Sequence, residues 1–176
     1  MITIRPEQPD DIPAVHSINE KAFGQPTEAN LVDTLRAACP KALSLVALSD
    51  GRIVGHILFT PVTIQTTTGE IQGMGLAPMA VVPERQRQGI GSHLVEAGLK
   101  ALRQQACPFV IVLGYPEYYP RFGFVPASRH GLACQWEGVA DDAFMVLILD
   151  EAPMAAVSGV ARYRDEFDEA MERPNN

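Results

Sequence analysis

Apolar and polar residues alternate along Ile2-Thr3-Ile4-Arg5, the period of a short strand, and then the period changes. Between Pro9 and Phe23 the apolar residues Ile12, Val15, Ile18 and Ala22 recur on one helical face, with Asp10 placed to cap it. A second helix is predicted from Pro26 to Cys39, where Thr27 stands at the cap and Leu31, Leu35 and Ala38 share a side. Two β-rich runs, "LSLVALS" and "RIVGHILFTPVTIQT", meet at Asp50-Gly51, a dipeptide whose tolerance of positive φ marks a hairpin. Another β-prone run starts at Glu70, passes into "MAVV" and is stopped by Pro83. Three antiparallel strands are thus predicted in the first half of the chain.

From Gly89 to Ala106 the pattern is helical again. Ile90, Leu94, Ala97 and Ala101 form one side, while Ser92, His93, Glu96, Lys100 and Arg103 gather on the other. The continuous apolar run "CPFVIVLG" follows, as in a strand buried on both faces. Strand, loop, helix and buried strand in this order predict a crossover and a parallel pair at the sheet centre. "AFMVLIL" reads as one more strand, and "GVARYRDEF" as either a last strand or the start of a tail helix. A chain of 176 residues suits one domain of the usual ~100–200. We place it over residues 1–170, with 171–176 as a frayed tail.

Composition narrows the class further. A hydrophobic content of 47% with 20% charged residues is that of an ordinary globule. No run approaches the roughly 18 apolar residues needed to span a bilayer, and the polar N-terminus lacks a signal-peptide pattern. A cytoplasmic protein with no membrane partner is expected. Net charge is −7, which disfavours nucleic acid and mildly favours cationic partners. Cys39, Cys107 and Cys134 are widely spaced and read as reduced thiols, and no metal-binding spacing is visible among them or the four histidines.

The chemistry gathers first at "MAVVPERQRQGIGSHL", where a strand, a polar loop and a helix start succeed one another. A helix start carries unpaired N–H groups and the positive end of the dipole, so it suits an anion, and glycine lets backbone approach a phosphate. Spacing excludes the G-x-x-x-x-G-K-[ST] loop, and Leu94 follows where a dinucleotide fingerprint needs its third glycine. Gln86-Arg87-Gln88-Gly89-Ile90-Gly91 resembles the [QR]-x-x-G-x-[GA] pyrophosphate loop of the GNAT superfamily of acyl-CoA-dependent N-acyltransferases. The likeness extends through "IVGHILFTPV", "GLAPMAVVPERQRQGIGSHLVEAGLKAL" and "VIVLGYPEYYPRFGFVPA" to a branch described as predicted N-acetyltransferases, over roughly residues 1–150. It implies an α/β GNAT fold: a mixed twisted sheet of six or seven strands, splayed central parallel strands and flanking helices. It also implies that Met79, Ala80 and Val81 pair with the pantetheine arm of acetyl-CoA. Backbone N–H groups from Arg87 to Ser92, with Gln86 opening the motif, would hold the pyrophosphate. Pro78 fits independently, since it cannot donate to a ladder and belongs at an edge or bulge.

"YPEYYPRFGF" follows the buried strand, at the end where open α/β sheets bind ligands. Tyr119 stands four residues before Gly123-Phe124, and by the same resemblance its hydroxyl protonates the departing thiolate. Tyr115 and Tyr118 read as packing or pocket lining. An amine nucleophile, with a reference pKa of about 10.4, must lose a proton before attack. The sequence does not identify the base; Glu28, Glu117 and His56 are the candidates near the acceptor. Tyr115-Pro116 departs from the related branch, which has a small polar residue after the glycine of "VLG".

The expected activity is transfer of an acetyl group from acetyl-CoA to a primary amine by direct attack in a ternary complex. Modest size and the absence of an added recognition domain favour a small molecule over a peptide or protein acceptor. A non-catalytic acyl-CoA-binding regulatory module is the alternative of another class, and a homodimer is left open.

Overall fold

The computed structural model describes residues 1–172. The chain divides into two compact units, one built of Met1–Thr60, Ala77–Lys100 and the segment from Asp165, the other of Pro61–Leu76 and Ala101–Arg164.

In the first unit β1 (Ile2–Pro6) pairs antiparallel with β2 (Leu43–Ser49), Ile2 lying opposite Ser49 and Pro6 opposite Leu45. Next, β2 pairs antiparallel with β3 (Arg52–Thr66), from Leu43 opposite Phe59 to Ser49 opposite Arg52. Asp50 and Gly51 both have positive φ, 50° and 76°, the combination that a two-residue hairpin of the favoured hand requires. Helix α1 (Ile12–Phe23) packs on α2 (Thr27–Ala38), and α2 on α5 (Glu166–Glu172). The expected cap of α1 is displaced by one residue. A 3-10 turn over Pro9–Asp11 precedes the helix, and Asp11 rather than Asp10 is the buried acid. Asp11 accepts from Arg5 at 2.6 and 3.0 Å and from the Gln8 N–H at 2.7 Å, which ties the end of β1 to the helix entry. Thr27 is the first residue of α2, not its cap; Pro26 holds the cap position and no side chain caps it.

The strand β4 (Gly69–Val81) and the helix α3 (Ile90–Gln104) frame the glycine loop. The buried stripe of α3 is Ile90, Leu94, Val95, Leu99 and Leu102, whereas Ala97 and Ala101 lie at its half-buried margin. The stripe is therefore rotated from the predicted face toward the larger side chains, which bury more apolar surface per position.

In the second unit Met74, Gly75 and Leu76 of β4 lie parallel to Val110, Ile111 and Val112 of β5 (Phe109–Leu113), the crossover pair that the element order predicts. Antiparallel pairing then joins β5 to β8 (Phe144–Ile148), and β8 to β6 (Val125–Pro126). The short β7 (Leu132–Cys134) pairs parallel with β9 (Gly159–Arg162), and β9 pairs antiparallel with β3 at Thr63 and Ile64. "GVARYRDEF" supplies both readings offered for it, β9 first and then α5. Nine strands are assigned among the described residues; β6 and β7, of two and three residues, are those the periodicity does not declare. Met171 and Glu172 of the expected frayed tail belong to the last turn of α5 instead, and 173–176 lie outside the described residues. Among the described residues no helix is long and apolar enough to cross a membrane.

A buried polar chain links α1, α2, β2 and β3. Asn19, wholly buried, donates through Nδ2 to the Val15 carbonyl at 3.0 Å and to His56 Nδ1 at 3.1 Å. That makes Nδ1 an acceptor, so His56 carries its proton on Nε2 and donates to Ser44 Oγ at 2.9 Å. Ser44 in turn donates to Glu7. Glu7 also accepts from Arg36 Nε at 2.8 Å, and Arg36 reaches Asp33 at 2.6 Å, beside His16 Nδ1 at 2.7 Å from the same carboxylate. The His56 ring is fully buried, and burial, reinforced by the Arg36 charge, depresses its pKa to about 3.

This has a consequence for stability. Unfolded His56 titrates near 6.5, so below that pH the unfolded chain takes up a proton that the folded chain refuses until about pH 3. Folding free energy should fall between those pH values by up to about 1.4 kcal/mol per pH unit from this group, and owe nothing to it above pH 6.5. Urea unfolding of the native chain and His56→Gln from pH 7.5 to 4.5 checks it: the slopes should coincide at the upper end and diverge below about pH 6.5. Parallel slopes throughout would show that His56 is protonated in the folded state.

Candidate active site

The loop of the first unit is shaped by backbone conformation. β4 leads to Val82, whose N–H donates to the Val54 carbonyl of β3 at 3.0 Å, and a 3-10 turn over Pro83–Arg85 follows. Then φ is positive at Arg87 (63°), not at Gln88, and positive again at Gly89 (83°). Such alternation turns successive N–H groups toward one side and forms an anion-binding concavity. An arginine in this region is uncommon and marks a position where the fold overrides the residue's own preference. The loop is braced from inside: Gln86 Nε2 donates to the Val81 carbonyl at 3.0 Å and Gln88 Nε2 to the Glu84 carbonyl at 3.3 Å. Gln86, Arg87, Gln88 and Gly89 are exposed, and Ile90 is buried, so Ile90 anchors the helix while its amide belongs to the loop. The first helical bond runs from the His93 N–H to the Gly89 carbonyl at 3.1 Å, leaving the Ile90 and Gly91 amides ahead of it. Ser92 lies half-buried in this first turn. Just upstream, Ala80 is buried, with Met79 and Val81 half-buried on either side. The β4–β5 ladder reaches only Leu76, and Pro78 has no N–H to contribute.

In the second unit the tyrosine segment is equally specific. Tyr119 opens a 3-10 turn, Tyr119–Phe122, that ends at Gly123 in the left-handed region (φ 99°). That reversal returns Phe124 to the Tyr119 ring, centroids 5.7 Å apart and edge-on. This is the physical content of the four-residue spacing from Tyr119 to Gly123. Tyr118 packs edge-on from another side at 5.1 Å and carries the Arg121 guanidinium 4.5 Å over its face. The Tyr119 ring is buried, and its hydroxyl has no hydrogen-bond partner among the described residues. Burial, then the nearby Tyr118 and Tyr115 hydroxyls, raise its pKa well above that of a free phenol, so Oη holds its proton throughout the neutral range. Tyr115 is 76% exposed, so it is not a core residue.

The three acceptor-side candidates fare differently. His56 has both ring nitrogens bonded inside the protein and no surface exposure, which makes it a satisfied core histidine. Glu28 is half-buried in the first turn of α2, where both carboxylate oxygens accept from Gln25 Nε2, at 3.0 and 3.2 Å. Glu117 is exposed, two residues before Tyr119, with no side-chain partner among the described residues. The three cysteines are free thiols, and burial raises the pKa of Cys107 and Cys134. Among the described residues no cluster of His, Cys, Asp or Glu could hold a metal ion.

Sequence reasoning passed over two features. The positive φ of Arg87 has no signal in its residue type, because arginine does not favour that region. Asn19, Ser44 and Glu7 lie far apart in sequence, and only the pairing of β2 with β3 puts Ser44 within reach of His56.

Residues 3–127 match the acetyltransferase (GNAT) domain family. The chain is 36% identical to the uncharacterized N-acetyltransferase YhbS of Escherichia coli K12 over 166 residues, 94% of this chain and 98% of that protein. It is 42% identical to the uncharacterized N-acetyltransferase YjhQ of the same strain over 121 residues, 67% and 66% of the two chains. Its fold matches the crystal structure of E. coli YhbS in complex with CoA at a TM-score of 0.88 and 36% identity, over 95% of this chain and 92% of that one. It also matches a GNAT family acetyltransferase from Brucella melitensis in complex with acetyl-CoA, at a TM-score of 0.77 and 34% identity, over 96% and 99%. With that extent of agreement in sequence and in fold, the chain belongs to the GNAT family of N-acetyltransferases.

Proposed function

We propose that this protein transfers an acetyl group from acetyl-CoA to a primary amine, with small-molecule amines ahead of proteins as acceptors, by direct attack in a ternary complex. The observation that carries the reading is the alternation of φ at Arg87, Gln88 and Gly89, directly before the first turn of α3. It aims backbone donors and the positive end of a helix dipole at one place, which fits a pyrophosphate. The relatives solved with CoA and acetyl-CoA support the identity of that ligand.

The loop from Gln86 to Ser92 holds the pyrophosphate in this reading. Met79, Ala80 and Val81 offer strand backbone to the pantetheine arm, and an N–H near Ala80 polarises the thioester carbonyl. Acetyl-CoA supplies an activated acyl group whose leaving atom is sulfur. Tyr119 keeps its proton on Oη and gives it to that sulfur as the N–C bond forms and the C–S bond breaks. The amine's own proton must go to a base or to water. Glu117 is the first carboxylate to test, because both oxygens of Glu28 are engaged by Gln25. A net charge of −7 draws cationic amines from solution.

Binding and chemistry are tested separately. Acetyl-CoA at 100 times its dissociation constant should stabilise the fold by roughly 2.7 kcal/mol, read as a rise in melting temperature. Gly89→Val, which forces a β-branched residue into positive φ, should weaken that binding on the order of tenfold or more. No thermal shift with acetyl-CoA or CoA, or native affinity in Gly89→Val, removes the loop assignment.

For the chemistry, thiol release from acetyl-CoA should be followed with a panel of primary amines, amino acids and short peptides. Tyr119→Phe should lower kcat by roughly 10²–10⁴-fold while leaving acetyl-CoA affinity unchanged. Undiminished turnover excludes Tyr119 as the acid. Binding without turnover on any amine of the panel would point to a regulatory acyl-CoA module.

A further inference from the structure

We infer that Gly114 is a positioning residue for Tyr119: the side chain it lacks is the space in which the Tyr119 ring lies. This rests on the catalytic reading of Tyr119. A Cβ built on Gly114 would fall 2.3 Å from Tyr119 Cε2, 2.9 Å from Cδ2 and 3.3 Å from Cζ. Those contacts are with the middle and far edge of the ring, so even alanine would collide along the side that leads to the hydroxyl. Gly114 needs no special backbone conformation, since its φ is not positive. Close approach is what the position requires.

Neither partner can retreat at low cost. Gly114 follows directly on β5, and its N–H donates to the Ala143 carbonyl at 2.9 Å, which continues the β5–β8 pairing by one residue. Tyr119 is held on its other sides by Phe124 and Tyr118, and the Arg121 guanidinium over Tyr118 stiffens that wall. Phe124 is itself 1% exposed and has no room to yield. At the backbone, the Tyr119 N–H bonds to the Tyr115 carbonyl at 3.3 Å, which fixes where the ring starts. A ring enclosed in this way has one direction for its Oη, and the side facing Gly114 belongs to the set that decides it. Misplacing a reacting group by about 1 Å can cost on the order of a hundredfold in rate.

The test is a double-mutant cycle over Gly114→Ala and Tyr119→Phe. Activity is thiol release from acetyl-CoA with the fastest amine of the panel, or with water as acceptor, and stability is read from urea unfolding of the same proteins. Gly114→Ala should lower kcat on the order of tenfold to a hundredfold with the KM for acetyl-CoA unchanged. The same substitution in a Tyr119→Phe background should cost less than about twofold, because the hydroxyl it misdirects is already gone. A Gly114→Ala protein as fast as the native one, or one equally slowed in both backgrounds, overturns the inference. Full turnover in Tyr119→Phe alone overturns the catalytic reading instead, so the two failures are distinct. Should Gly114→Ala be too unstable to assay, Gly114→Ala/Tyr119→Leu should regain stability by vacating the contested space. If that double variant is no more stable than Gly114→Ala, the collision is not with Tyr119 and the inference fails.

Discussion

A strand whose ladder to one neighbour stops short must have its end secured by other bonds, and β4 is such a strand. Its parallel ladder to β5 is short, Met74 to Leu76, and the residues from Ala77 to Val81 lead instead into the loop. Inside the first unit this end of β4 is secured by other means, the Val82 N–H on Val54 and the Gln86 side chain on Val81. The loop then adopts a conformation that no ladder or helix needs. Holding Arg87 in the left-handed region costs roughly 1–3 kcal/mol. Strain of that size persists only where the surroundings over-determine it, and the flanking Gln86 and Gln88 side chains, bound to the Val81 and Glu84 carbonyls, brace the segment on both sides of Arg87.

The tyrosine segment solves a different problem with similar means. A phenol that is to act as an acid should keep its proton at neutral pH and hold a fixed direction. Burying the ring does both, since loss of water disfavours the phenolate and close packing removes alternative rotamers. The sequence supplies the enclosure with two glycines used for unlike reasons. Gly123 reverses the chain through a positive φ so that Phe124 comes back onto the ring, whereas Gly114 leaves room for it.

Much of this was legible beforehand where local chemistry decides the outcome. Asp50-Gly51 forms its hairpin, the run through "FVIVL" is a buried strand, and β4, α3 and β5 follow as the crossover implies. What escaped depends on partners distant in sequence. β7 is only three residues long and exists by pairing with β9, so it has no period of its own to display. The cap of α1 moved because Asp11 has Arg5 to bind and Asp10 does not, and the face of α3 rotated to bury Val95 and Leu99. At the candidate site, residue spacing singled out the loop and Tyr119 as candidates, while the close approach of Gly114 to the Tyr119 ring depends on side-chain placement that no spacing displays.

His56 shows why proximity of familiar groups does not amount to chemistry. His56, Ser44 and Glu7 lie in hydrogen-bonding succession, the set from which a nucleophile and its base could be made. Direction decides against it. Asn19 can donate to the Val15 carbonyl only with Nδ2 turned toward it, and the same Nδ2 then donates to His56 Nδ1. The imidazole proton is thereby placed on Nε2, pointing at Ser44, and Ser44 sends its own proton to Glu7. A histidine that donates to the hydroxyl cannot also accept from it, and burial opposes the imidazolium that proton uptake would create. The polar chain therefore serves to hold α1, α2, β2 and β3 together, and with both ring nitrogens engaged this imidazole is not placed to act as a base.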